Sequence, residues 1–160
     1  ASIMSRTTGG PAAGSFETTS LGNYRTLDYD AATAEYGQFD IRMPKSWDRG
    51  KVQAQWAWNT SVSSILAVVW AIRIQNISSG STMTASYGTA ITMITTGGVA
   101  NAMFFTNVSS PIGFSGTPAE QSYLKFETYR DAANGSDALA VDARLSGVTI
   151  IYGLETKTDA

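Results

Sequence analysis

Asp131, Asp137 and Asp142 fall in one short stretch, YRDAANGSDALAVDARL (Tyr129 to Leu145), around an Asn134-Gly135 turn. Carboxylates beside a turn are the raw material of a calcium loop, because Ca2+ takes hard oxygen ligands. An EF-hand, however, alternates its ligands and follows them with a Gly and a Glu. This stretch does not, and neither a metal nor another cofactor is expected. Arg130 and Arg144 lie in the same stretch. Asp142 and Arg144 are two apart and share a face of a strand. The expected use of these charges is pairing, with each other or with Asp28 and Asp30. Glycan hydrolysis would need an acid and a partner carboxylate at a set separation. Glu35, Glu120 and Glu127 are present, but the sequence singles out no pair. The chain has no His and no Cys, which excludes Ser-His-Asp and Cys-His sites as normally built. No enzyme activity and no catalytic residue are expected.

Aromatic side chains offer the other chemistry. In FDIRMPKSWDRG (Phe39 to Gly50), Trp47 follows Met43 and Pro44 in a charged turn. Trp47 can plug the end of a barrel or serve as a platform on which a sugar ring stacks. Tyr87, in a Ser/Thr-rich loop, is a second candidate glycan contact.

These residues must be positioned by strands. Phe39, Ile41 and Met43 alternate with Asp40 and Arg42, the period-two pattern of a half-buried strand. Val52, Ala54, Trp56 and Trp58 repeat it, as do Val68, Trp70, Ile72 and Ile74, then Ile91 and Met93. Leu124, Phe126 and Thr128 alternate with Tyr123, Lys125, Glu127 and Tyr129, and Val148, Ile150 and Tyr152 give a last face. Turn clusters separate the runs, at Asp48-Arg49-Gly50, Asn76 to Ser81, Gly97-Gly98 and Asn134 to Ser136. The spacing predicts an all-β fold, an antiparallel β-sandwich of jelly-roll type. Pro118 to Leu124 reads as a short helix or as a loop entering a strand. Pro44 cannot donate to a sheet ladder, so the strand before it must stop or run along an edge. Lys45 to Arg49 then reads as a tight turn ended by a positive φ at Gly50. The Gly-, Ser- and Thr-rich start predicts an extended N-terminal arm over residues 1–26, with the jelly roll over 27–160.

Composition narrows the function. The 160 residues fit one domain. Only 15% are charged, the net charge is −2, and Ser, Thr and Gly make up roughly a third. No basic stripe points to nucleic acid, and no apolar run reaches the length of a membrane helix. Ala1 fits a residue left after removal of an initiator Met, which would make this a complete short protein.

Two segments carry a resemblance. LDYDAATAEYGQFDIRMPKSWDRG (Leu27 to Gly50) and YRDAANGSDALAVDARLSGVTIIY (Tyr129 to Tyr152) resemble, in this order and spacing, small phage-encoded virion proteins of the jelly-roll, fibre-like type. The likeness spans Leu27 to Tyr152. It implies that Asp28, Asp30, Glu35, Pro44, Trp47 and Asp48, with Arg130, Asp131, Asp137, Asp142 and Arg144, are fold and interface determinants. It further implies a virion structural protein: a homotrimeric short fibre or spike whose head contacts a host-surface glycan or protein. Its partners would be its own copies and other virion proteins. Trp56, Trp58 or Tyr152 would seal the interface. A capsid decoration protein gripping the shell through residues 1–24 is the alternative, and a carbohydrate-binding or glycan-hydrolysing module the third reading.

Overall fold

Alternation decides the architecture. The chain is described by a computed structural model that covers residues 3–18 and 22–155; Ala1, with the expected processed start, lies outside them. The strands are β1 (Met4–Ser5), β2 (Ala12–Thr18), β3 (Gly22–Tyr29), β4 (Tyr36–Arg42), β5 (Trp47–Thr60), β6 (Ala67–Ile77), β7 (Ile91–Thr96), β8 (Phe104–Phe105), β9 (Phe114–Ser115), β10 (Tyr123–Arg130) and β11 (Ala143–Leu154). One sheet runs β1-β4-β10-β6-β7, with β9 parallel to the end of β6; the other runs β2-β3-β11-β5-β8. Without the N-terminal additions and β9, each sheet holds four strands. The chain crosses between them in the double Greek-key order of a jelly roll, so the predicted fold class is the observed one. No residue of Pro118 to Leu124 is helical.

Inward positions of the two sheets meet in one core. The four tryptophans are all buried in it, so Trp56 and Trp58 seal no subunit interface, a correction to the expectation above. Trp70 lies between Tyr29 (centroids 5.2 Å, edge-on) and Trp58 (6.3 Å). Phe39 stacks on Phe126 at 4.8 Å across the β4–β10 register. The Trp56 indole N–H donates to Thr128 Oγ1 at 2.8 Å, and that hydroxyl donates onward to the Ala71 carbonyl at 3.0 Å. A buried polar pair between the sheets is thereby satisfied.

The Met-Pro-Lys-Ser-Trp segment is a corner between sheets. β4 stops at Arg42 before Pro44, and the Trp47 N–H closes a turn onto the Pro44 carbonyl at 3.1 Å. The turn is shorter than predicted, since β5 already begins at Trp47. The left-handed residue is Arg49, at φ 57, in place of Gly50. Asp48 takes up the strain locally by accepting the Gly50 N–H at 2.8 Å. Trp47 is 1% exposed and meets Phe114 edge-on at 5.8 Å: it is the plug at this end of the sandwich.

The N-terminal stretch lies extended along the outer edges of both sheets, where β1 pairs with β4 and β2 pairs with β3. The boundary expected at residue 26 falls inside β3. The edge position explains the missed strands, because a strand buried on few sides needs no apolar alternation to hold it.

The second motif closes the other end. Arg130 projects from β10 into the interior and is completely buried with Asp137. Its Nε donates to Asp137 Oδ2 at 3.0 Å and one terminal nitrogen to Oδ1 at 2.6 Å. The remaining N–H groups reach the carbonyls of Val141 (2.8 Å), Tyr29 (3.4 Å) and Leu139. Asp137 Oδ2 also accepts the Val69 N–H at 2.9 Å. Removing either partner strands a buried charge. Arg130→Ala and Asp137→Ala should each cost about 3–5 kcal/mol in denaturant unfolding, with the double variant far from additive. Equal, additive and small losses would show that the pair does not hold the fold.

Candidate functional site

The outward faces of β4, β10 and β6 carry a continuous polar and aromatic surface. Register places Glu127 between Gln38 and Arg73, Lys125 between Asp40 and Gln75, and Tyr129 beside Tyr36. Tyr123 extends the same row of β10, six residues from Tyr129, so the face runs about 20 Å along the strand. Tyr87 arrives from the loop between β6 and β7. Gln75 holds that loop down by donating to the carbonyls of Ala85 (2.6 Å) and Met83 (3.2 Å), and the Gly88 N–H reaches the Ile74 carbonyl at 2.8 Å. Recesses of about 650 and 490 Å³ open at two margins, one beside Tyr123 and Arg42, the other beside Gln38 and Arg6.

Glu127 organises this face. It is 1% exposed although it points away from the core, because its neighbours roof it over. Arg73 Nε donates to it at 2.9 Å and Arg73 also makes a short terminal contact; Gln38 donates at 2.6 Å, and Arg6 approaches at 3.5 Å. Fixed in this way, the Arg73 guanidinium lies 4.7 Å from the Tyr87 ring centre and just under 6 Å from those of Tyr36 and Tyr129. The Arg6 guanidinium lies over the Tyr36 ring at 4.7 Å. Cations over ring faces are attracted by the aromatic quadrupole, so the tyrosines are locked in place. Asp40 is the exception to this satisfaction: its Oδ1 is buried and has no hydrogen-bond partner. Such an acceptor is costly unless something supplies a donor.

The tyrosine hydroxyls feel the same surroundings. Burial, reinforced by the Glu127 charge, pushes Tyr87 up from 10.0 to about 12. Burial raises Tyr129, although Arg73 opposes it, and a hydrogen bond to Asp40 raises Tyr123.

The residues singled out in the sequence are mostly elsewhere. Asp30 caps the turn after β3 by accepting the N–H groups of Ala32 (2.6 Å) and Thr33 (2.8 Å), while Glu35 accepts the Asp30 N–H at 2.8 Å. Asp28 faces Arg144 at 3.9 Å across β3 and β11, one of the pairings expected. Asp131 accepts from the Asn134 side chain at 3.1 Å, and Asp142 is exposed. Asp131 and Asp137 therefore have separate partners while Asp142 faces solvent, and no metal-holding group of acids occurs among the described residues. Trp47 as a sugar platform is corrected: its ring is buried against Phe114 and presents no face to solvent. Tyr87 is the one candidate glycan contact that the fold brings to the tyrosine face. Tyr36, Gln38, Asp40, Arg73 and Glu127 were missed as a group, although the outward row from Tyr123 to Tyr129 is visible as alternation.

Fold and face together define a β-jelly roll with an aromatic, hydrogen-bonding sheet surface. Neither a family model nor a curated protein sequence matches the chain. Two solved structures are similar to it. One is TmCBM61 in complex with β-1,4-galactotriose, at 8% identity and a TM-score of 0.46, covering 95% of this chain and 88% of that one. The other is the family 11 carbohydrate-binding module from Clostridium thermocellum in complex with a β-1,3-1,4-mixed-linked tetrasaccharide, at 12% identity and 0.49, covering 96% and 89%.

Alkaline titration checks the face. A phenol whose folded pKa lies above its unfolded value stabilises the protein fully below the unfolded pKa, and that stability drains away as pH rises toward the folded one. Stability should therefore fall from about pH 10 toward pH 12. Tyr87→Phe should make the fall shallower and remove a late-titrating component from the tyrosinate absorbance. An unchanged titration in that variant would mean that Tyr87 is not enclosed by Glu127 and Arg73.

Proposed function

We propose that this chain is a non-catalytic carbohydrate-binding jelly roll that holds a neutral oligosaccharide across the outward face of β4, β10 and β6. The observation that carries the reading is the grouping of Tyr36, Tyr87, Tyr123 and Tyr129 around buried, fixed polar groups that include the unpartnered Asp40 Oδ1. Pyranose rings present apolar C–H faces and a rim of hydroxyls. Immobilised tyrosines match the first at low entropic cost. Asp40, Lys125 and the margins match the second. A neutral ligand suits a face whose strongest charges already neutralise each other, Arg73 on Glu127.

The state of Glu127 supports binding without bond cleavage. Both its oxygens are engaged, by Arg73 on one and by Gln38 and Arg6 on the other. A carboxylate held this way anchors its donors and has no free oxygen to serve as a hydrolytic acid or base. The motif resemblance of Leu27 to Tyr152 adds a setting. On a virion, as the head of a short fibre or spike, this face would meet saccharide on the host surface.

Titration calorimetry against short neutral oligosaccharides tests the proposal. At least one should bind, and Tyr123→Ala or Tyr129→Ala should weaken it by about 10-fold, the equivalent of one aromatic contact, with the melting transition retained. No new reducing ends should appear on long incubation. Binding that survives loss of both tyrosines would move the site off this face, and released sugar would make the protein an enzyme.

A further inference from the structure

Charge is distributed unevenly along the chain. From Val52 to Ala119 the sequence carries one charged residue, Arg73; every other Asp, Glu, Lys and Arg lies at or before Lys51, or at or after Glu120. The sheet orders convert this into geometry. Strands β5 and β8 form one side of their sheet, and β6 and β7 form the same side of the other, while β1, β2, β3 and β4 lie on the opposite side. Apart from Asp48, Arg49 and Lys51 at the start of β5, the charges therefore lie on the centre and one flank of the sandwich. The other, built from β7, β8 and the loops 61–66 and 97–103, has none of its own. Arg73 is turned toward Glu127 on the tyrosine face, and the cation at the border is Arg144, which donates to Asn101 at 3.3 Å.

The uncharged flank is also apolar and preassembled. Ile65 (82% exposed), Val99 (70%), Leu66 and Met103 stand open on its loops and Ile94 (56%) on β7, while Phe105 on β8, paired with outward Ala57, opens on the outer face of the other sheet. Its loops are tied to each other and to β5: the Ser64 N–H reaches the Gly98 carbonyl at 2.8 Å, the Ala100 N–H the Ser63 hydroxyl at 3.0 Å, and the Asn101 N–H the Thr60 carbonyl at 2.8 Å. Little ordering remains to be done on association. At its centre β7 is an edge strand, hydrogen-bonded among the described residues only to β6. Its sequence, ITMITT, has no charge, proline or bulge of the kind that blunts open edges. Exposed apolar surface grouped in this way marks an interaction site.

We infer that this flank is where a second copy of the chain docks, edge strand β7 against edge strand β7. Charge identifies the occupant. A surface without charge gains nothing from a basic or acidic partner and would desolvate that partner's charges without return. Two copies that approach through it keep their net negative charge on the far sides, where repulsion is weakest. Antiparallel β7 pairing also satisfies the open backbone groups of both edges and sets β-branched Ile and Thr side chains against each other.

Sedimentation velocity of the full chain at tens of micromolar tests this. A dimer is expected, because β7 against β7 is an isologous contact that closes through a two-fold axis; a trimer, which needs a heterologous contact, overturns the pairing. Ile94→Lys, and separately Val99→Asp, should each raise the dissociation constant by at least about 100-fold by burying a charge in both copies. Lys45→Ala, on a turn at the start of β5, should leave assembly unchanged. Circular dichroism and the melting transition report that each variant is folded. A wild-type chain that stays monomeric overturns the inference. So does an oligomer that both flank variants leave intact.

Discussion

The rest of the structure depends on keeping one cation dry. Arg130 is wholly enclosed, and an ion taken from water at that depth persists only if each of its donors is answered. Asp137 answers two directions, and three main-chain carbonyls answer the others. Those carbonyls belong to Tyr29 at the end of β3 and to Leu139 and Val141 in the connection to β11. One side chain thus dictates the path of residues 131–142 and joins β10 of one sheet to the end of β3 in the other and to the connection leading into β11. Asp137 and its neighbours extend the clamp to β6: the Val69 N–H meets its carboxylate, and the Ala138 and Leu139 N–H groups meet the Ala67 carbonyl. The cost of desolvating the pair is met by these hydrogen bonds, which only this path of the connection makes in the structure.

The clamp fixes β10, and β10 is the spine of the tyrosine face. Because side chains alternate along a strand, the residues that bury Phe126, Thr128 and Arg130 necessarily aim Glu127 and Tyr129 outward. A carboxylate so close to the core gives Arg73 a fixed place, and Arg73 in turn fixes three aromatic rings around itself. The rigidity of the face is therefore inherited from the interior across one peptide unit. Asp40 Oδ1 is buried within this order and has no donor from the protein.

Local pattern made most of the fold legible. Alternation located the principal strands, and Pro44 located the end of β4. The same reasoning failed where the physics is not periodic. Residues 4–18 pair with sheet edges through their backbone, and Gly-, Ser- and Thr-rich sequence reads as linker whether or not its N–H groups find a ladder. Trp47 was open to two readings because its type sets a preference for contact without saying with what; Phe114, sixty-seven positions later, supplied the partner. The candidate site was hidden for a related reason. Gln38, Arg73, Tyr87 and Glu127 are united only by strand register and a tethered loop, and register is a property of pairing, which no single segment contains.

Sheet order also couples the two surfaces that the sequence keeps apart. The tyrosine face covers β4, β10 and β6, and the uncharged edge is β7, the next strand in the same sheet. Antiparallel pairing of β7 with its counterpart would continue that sheet through a two-fold axis normal to it, and outward residues of both copies would stay on one side. Two tyrosine faces would then lie side by side and point the same way. Single aromatic contacts contribute about a kilocalorie each, too little for firm attachment through one face. A second face held at fixed spacing turns the next binding event into an intramolecular one and raises avidity without a new contact. A charge-free edge beside the tyrosine face would thus act together with it, the flank multiplying whatever that face binds.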